Sequence, residues 1–161
     1  MKPVRASDII KLIFSIGICL YAGYAGSTFT ASEVDTWYRL LDKPSFTPPD
    51  WVFAPVWTIL YVLMGVSLFL VWRQGINDES RKAVMAFSAQ LAINVSWSIV
   101  FFGLKSLSGG LIVISMLWIA IIITMIQFNR TSKLAAIILA PYLAWVSYAA
   151  MLNVSIVILN S

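Results

Sequence analysis

LSGGLIVISMLWIAIIITMIQF, residues 107–128, runs without a single charged side chain between Lys105 and Arg130. As a helix its 22 residues reach ~33 Å at ~1.5 Å each, enough to cross ~30 Å of hydrocarbon. Four more apolar runs of comparable length lie around it, at Ile9 to Phe29, Trp51 to Trp72, Ala83 to Phe102 and Leu134 to Leu159. Residues of loop type separate them: Asn77-Asp78-Glu79, Gly109-Gly110 and Asn129-Arg130. Trp51 and Trp72 bracket the second run as an interfacial aromatic belt would, and Trp118 reads as a belt or packing residue. The expectation is an all-α membrane protein, a single five-transmembrane-helix bundle with a connecting segment at 30–50 that covers one end.

Composition agrees. Of 161 residues, 60% are hydrophobic and 11% charged, where soluble domains carry about 25% charged residues. The net charge of +4 does not point to nucleic acid, because the basic residues flank apolar runs and form no groove. There is no histidine and one cysteine, Cys19, so neither a disulfide framework nor an imidazole-ligated metal centre is expected, and no metal site or covalently bound cofactor is assigned.

Lys2 and Arg5 before the first run also fit a signal peptide, but Lys11 interrupts that run and no small-x-small cleavage site follows. The run is therefore read as a span. Basic residues in alternate connections divide unevenly. Lys2, Arg5, Lys11, Arg73, Arg81, Lys82, Arg130 and Lys133 fall on the N-terminal side, against Arg39, Lys43 and Lys105 on the other. By the positive-inside rule the N-terminus is cytoplasmic and the 30–50 segment outside, in a multi-pass protein of a prokaryotic cell membrane. The seven acidic residues sit at run ends or in connections, and no internal repeat is visible. That argues against an ion-coupled alternating-access carrier, which keeps ionisable groups near the midplane.

Helical phase gives the chemistry its place. Trp57, Tyr61, Met64 and Leu68 share one face of the second run, and Gln90, Asn94, Trp97 and Phe101 one face of the third. Pro141, Trp145, Tyr148, Ala149 and Leu152 lie along the fifth. Amides facing lipid are costly, so Gln90 and Asn94 should point inward. Trp57 lies six residues and Trp97 about six below the outer end of its run, each roughly 9 Å deep, beneath the first connection. An aromatic-walled space with a few hydrogen-bonding groups suits a flat apolar ligand. Interhelical glue and packing would produce the same stripes. Thr47 and Asp50 have capping-box spacing, which starts the second helix at Thr47 and places Pro55 inside it as a bend. Ser88, Ala92 and Ser96 form a small-residue strip suited to a close helix contact or a dimer face.

Four segments carry a resemblance: WYRLLDKPSFTPPDW at Trp37 to Trp51, PVWTILYVLMG at Pro55 to Gly65, QLAINVSWSIVFF at Gln90 to Phe102, and PYLAWVSYAAMLN at Pro141 to Asn153. Together they resemble the TspO/translocator protein family, also called tryptophan-rich sensory proteins or peripheral-type benzodiazepine receptors. The resemblance implies a five-helix bundle, commonly a homodimer in membrane lipid, that binds porphyrins such as protoporphyrin IX and isoquinoline or benzodiazepine ligands. Matched by motif, its ligand-binding positions would be Trp37, Tyr38, Pro48, Trp57, Asn94, Trp97, Ser98, Trp145 and Ala149, to which helical phase adds Tyr61. The sterol pattern of animal members is not matched, since Met151 to Ser161 has no Tyr, Arg or Lys.

Three functions follow from this: a tetrapyrrole-binding receptor or regulator, an enzyme degrading bound porphyrin under light, and a transporter of porphyrins or sterols. The enzyme would work without a histidine or a nucleophile–base pair, by photo-oxidation beside Trp57 and Trp145.

Overall fold

The computed structural model describes residues 5–161 of the chain; Lys2 lies outside them. Its helices are α1 (Ala6–Val34), α2 (Phe53–Trp72), α3 (Asp78–Ser98), α4 (Leu107–Thr131), α5 (Lys133–Ile138) and α6 (Ala140–Leu159), with no strand among the described residues. Five units are long and apolar enough to cross a membrane, the fifth being α5 and α6 together. The protein is an all-α, multi-pass membrane bundle.

Ion pairs at the two ends record the up-and-down path. Arg73 at the end of α2 meets Asp8 at the start of α1 at 3.5 Å, and Arg130 at the end of α4 lies 4.0 Å from Glu79 at the start of α3. At the opposite end Lys105, between α3 and α4, reaches Glu33 in the last turn of α1 at 3.0 Å. α1 packs on α2 and α3, α3 on α4, and α4 on α6. α1 and α2 approach closely at Gly65. A Cβ on Gly65 would stand 2.5 Å from the Cα of Ile16, so only glycine lets the two backbones come together there.

Several boundaries differ from the sequence reading, each for a local reason. Gly109 and Gly110 are helical, because Ser106 caps α4 by accepting the Gly109 N–H at 3.1 Å, and the turn is made by Lys105 at φ 52°. Asn129 and Arg130 are helical too. The break is the single extended residue Ser132, whose hydroxyl accepts the Ala135 N–H at 3.4 Å to start α5. Asn77 does begin α3, in a reciprocal cap with Ser80 at 2.8 Å each way. α1 continues to Val34, so the covering segment starts near 35 rather than 30.

Thr47 does not cap α2. Its hydroxyl donates to Pro44 O at 2.8 Å, and the helix begins with a 3-10 turn at Asp50–Val52. Pro55 therefore sits in the first α-helical turn, where a missing N–H costs little, and the irregularity precedes it. The proline that interrupts a span is Pro141. Its ring cannot donate to Ile137, and the helix breaks at Leu139 between α5 and α6. Leu139 N–H turns to Ala136 O at 3.2 Å, and the carbonyl of Ala135 accepts the buried Ser67 hydroxyl of α2 at 2.6 Å.

Candidate ligand-binding site

At the end opposite Arg73 and Arg130, α1, α2, α3 and α6 enclose a cavity of about 630 Å³. α1 and α2 close on each other at Gly65 and Ile16, and the cavity occupies the space between their other halves. Its volume is that of a pocket for a drug-sized molecule.

The floor is a hydrogen-bond chain through three helices. Tyr61 OH on α2 donates to Asn94 Oδ1 on α3 at 2.5 Å; Asn94 Nδ2 donates to Tyr142 OH on α6 at 2.9 Å; Tyr142 OH donates to Gln90 Oε1 at 3.0 Å. All four side chains are buried, and the chain fixes α2, α3 and α6 relative to one another. Trp57 stacks over Tyr61 with centroids 5.7 Å apart and meets Tyr142 edge-on at 6.3 Å. On α3, Trp97 stacks on Phe101 at 5.3 Å, and both line the cavity.

A π-helical turn at Ile99–Gly103 shapes the upper wall, with Leu104 N–H bonded to Ile99 O at 2.8 Å. The wider turn buries two consecutive rings, Phe101 and Phe102, at 4.9 Å from each other. Tyr38 of the covering segment rests on Phe102 at 5.7 Å and Trp37 on Phe101 at 5.6 Å.

That covering segment is tied to α6 at two points and braced within itself at a third. Asn160 at the end of α6 exchanges two hydrogen bonds with the Asp42 backbone, at 3.0 and 2.9 Å. Tyr148 OH donates to Phe46 O at 2.6 Å. Lys43 Nζ donates to Tyr38 O at 2.8 Å while lying 4.6 Å from the Tyr38 ring. Burial, with smaller contributions from Asp50 and Tyr148, pushes the Tyr38 phenol up to about 12.

Of the expected site residues, Tyr38, Trp57, Tyr61, Asn94, Trp97, Ser98 and Ala149 meet at the cavity wall. Three lie outside it. Trp37 supports the wall from behind Phe101 and Phe102, Pro48 belongs to the covering segment, and Trp145 packs edge-on against Phe53 at 6.0 Å. The buried stripe of α6 is Tyr142, Val146, Ala149, Leu152 and Ile156, one residue out of phase with Pro141, Trp145 and Tyr148.

Sequence reasoning missed Tyr142, which lies beneath the lining and bonds to Asn94. It also missed Phe102, Asn153, Asp35, Asp50 and the contribution of α1, where Gly23, Tyr24, Ser27 and Ala31 line the cavity. Gly23 was the available signal. The Tyr61 ring lies 2.4 Å from where its Cβ would be, so this position needs glycine for packing. Two buried polar atoms on the lining residues have no partner, the Trp97 indole N–H and Asn153 Oδ1. The exposed residues lining the cavity are Leu20, Tyr24, Ser27 and Ala31 on α1 with Asp35 just beyond it, and Asp50, Ala54 and Thr58 at the start of α2, so it opens between these two helices, up to the end where the covering segment begins. No group of three potential metal-ligating residues occurs among the described residues.

Comparison with known proteins agrees with this architecture. Residues 15–159 match the TspO/MBR family. The chain is 48% identical to the tryptophan-rich protein TspO of Chlorobaculum tepidum over 95% of its own length and 98% of that protein's. It is 36% identical to the tryptophan-rich sensory protein of Cereibacter sphaeroides, covering 86% and 85% of the two chains, and 36% identical to the human translocator protein, covering 81% and 78%. A match over nearly the whole bundle, on a chain with this aromatic cavity, makes the protein a member of the TspO/MBR family.

Proposed function

We propose that the protein is a membrane receptor or regulator that binds a flat tetrapyrrole, of the protoporphyrin IX class, in the cavity beneath the covering segment. Isoquinoline or benzodiazepine-type compounds would compete for the same space. The observation that carries this reading is the cavity of about 630 Å³ lined by Trp57 of α2 and Trp97 of α3, with its only charged lining residues, Asp35 and Asp50, at the exposed end. Aromatic faces stack on a macrocycle, and each well-placed ring pair adds ~0.5–1.5 kcal/mol beyond burial. Trp97, a lining residue, has an indole N–H without a partner, a donor for a ligand's ring nitrogen or carboxyl. The sideways opening suits a ligand that partitions into lipid before it binds. Names of relatives such as "translocator protein" and "tryptophan-rich sensory protein" are compatible with a ligand-responsive membrane protein.

Titration of the purified protein with protoporphyrin IX tests the reading through quenching of tryptophan fluorescence. Saturable quenching is expected, with at least a tenfold loss of affinity in a Trp57→Leu, Trp97→Leu variant. Unchanged affinity in that variant, with the fold intact by circular dichroism, would place the ligand elsewhere.

A further inference from the structure

A second hollow, of about 500 Å³, lies on the outer surface at the basic end of the bundle, where α3 starts beside α1 and the end of α2. Its walls are Phe14, Ile18, Leu68, Trp72 and Leu91, and Arg81 lines its mouth. From Arg81 to Leu91 the groove follows ten residues of α3, ~15 Å, or about one leaflet of a ~30 Å hydrocarbon core.

Among the described residues the cations beside it have no carboxylate partner, a feature they share at this end with Arg5 and Lys133. At this end Arg73 is paired with Asp8, and Lys82 and Arg130 with Glu79. Arg81 makes no ion pair among the described residues, even with Asp78 one turn earlier. Lys11 makes none either; its ammonium lies 5.7 Å from the Trp72 ring, which in turn meets Phe14 at 5.9 Å.

An apolar slot one leaflet deep, with two unspent cations at interfacial height, is complementary to one class of molecule. We propose that this groove is a binding site for a single anionic phospholipid, with an acyl chain between α1 and α3 and the headgroup phosphate held by Arg81 and Lys11. The site is separate from the cavity under the covering segment and does not depend on what that cavity binds.

Native mass spectrometry of the protein released from mixed micelles reads the proposal directly. With phosphatidylglycerol and phosphatidylcholine of identical chains, one phosphatidylglycerol per chain should be retained preferentially. An Arg81→Gln, Lys11→Gln variant should lose about fivefold of that preference per basic residue removed. Arg81→Lys should keep it, and Lys133→Gln, a basic residue at the same end but outside the groove, should leave it unchanged. Val84→Trp, which fills the slot without altering charge, should also abolish retention, and it stands as the test if the double variant fails to fold.

Equal loss in Lys133→Gln would show diffuse surface attraction and overturn the site. So would glycerol phosphate competing as well as the lipid, since the slot would then be irrelevant. Disulfide-linked pairs formed through Met85→Cys in the presence of lipid would show a second copy of the chain occupying the groove, and would also overturn it.

Discussion

Tyr142 ties α6 to two neighbouring helices through one hydroxyl. Its hydroxyl is shared between Asn94 and Gln90, so one oxygen joins α6 to two turns of α3 and, through Asn94, to Tyr61 on α2. Removing that oxygen leaves Gln90 Oε1 without its donor and Asn94 Nδ2 without its acceptor, both buried away from water. Tyr142→Phe should cost about 1–3 kcal/mol, seen as a lower thermal unfolding midpoint in detergent, while Tyr148→Phe at the exposed rim should cost less. Gly65→Ala should be as damaging for a different reason: its methyl would press on the Ile16 backbone, which cannot rotate aside. The phase of Gln90 and Asn94 was readable because an amide in a membrane helix must find a partner. The partner was not, because Tyr142 and Trp145 are equally amphipathic and only the break at Leu139 decides which of them turns inward.

At the scale of elements, the covering segment and the π-turn form one unit, with Tyr38 and Trp37 packed on the paired rings of Phe101 and Phe102. The buried phenol of Tyr38 gives this unit a pH dependence of known sign. Its pKa is raised from 10.0 to about 12 by burial first, then by Asp50 and Tyr148. The neutral form is favoured in the packed state, so the contribution is fully present below pH 10 and lost as pH rises from 10 toward 12. Raising the pH across that window should release the segment, visible as tyrosinate absorbance appearing together with faster proteolysis near Asp42. In Tyr38→Phe the proteolysis should no longer follow pH over this range. The five spans were legible at this scale because apolar length is a strong signal. The π-turn was not, since IVFFG is as apolar as its neighbours and the extra residue per turn arises only when both phenylalanines find aromatic partners. Capping serines were likewise overshadowed by the glycines and asparagines near them.

Across the whole molecule, the two ends are built differently, and that difference predicts how a ligand enters. Towards the basic end α1 and α2 touch through Gly65 and Ile16; at the other they part, and the covering segment is fixed to α6 by Asn160 and Tyr148. A roof held to α6 at two places need not lift if the ligand arrives from the side, through the gap bordered by Ala31 and Thr58. Thr58→Trp should then narrow the gap while leaving the floor and the stacking rings in place. In protein reconstituted into lipid nanodiscs, its association rate for protoporphyrin IX should fall at least tenfold, with the dissociation rate falling in parallel and the equilibrium affinity changing little. Weakening the roof instead, by Asn160→Ala, should leave association unchanged. If Asn160→Ala speeds association and Thr58→Trp does not slow it, the ligand enters from the aqueous side, and the gap between α1 and α2 is a packing consequence of the glycine contact rather than an entrance.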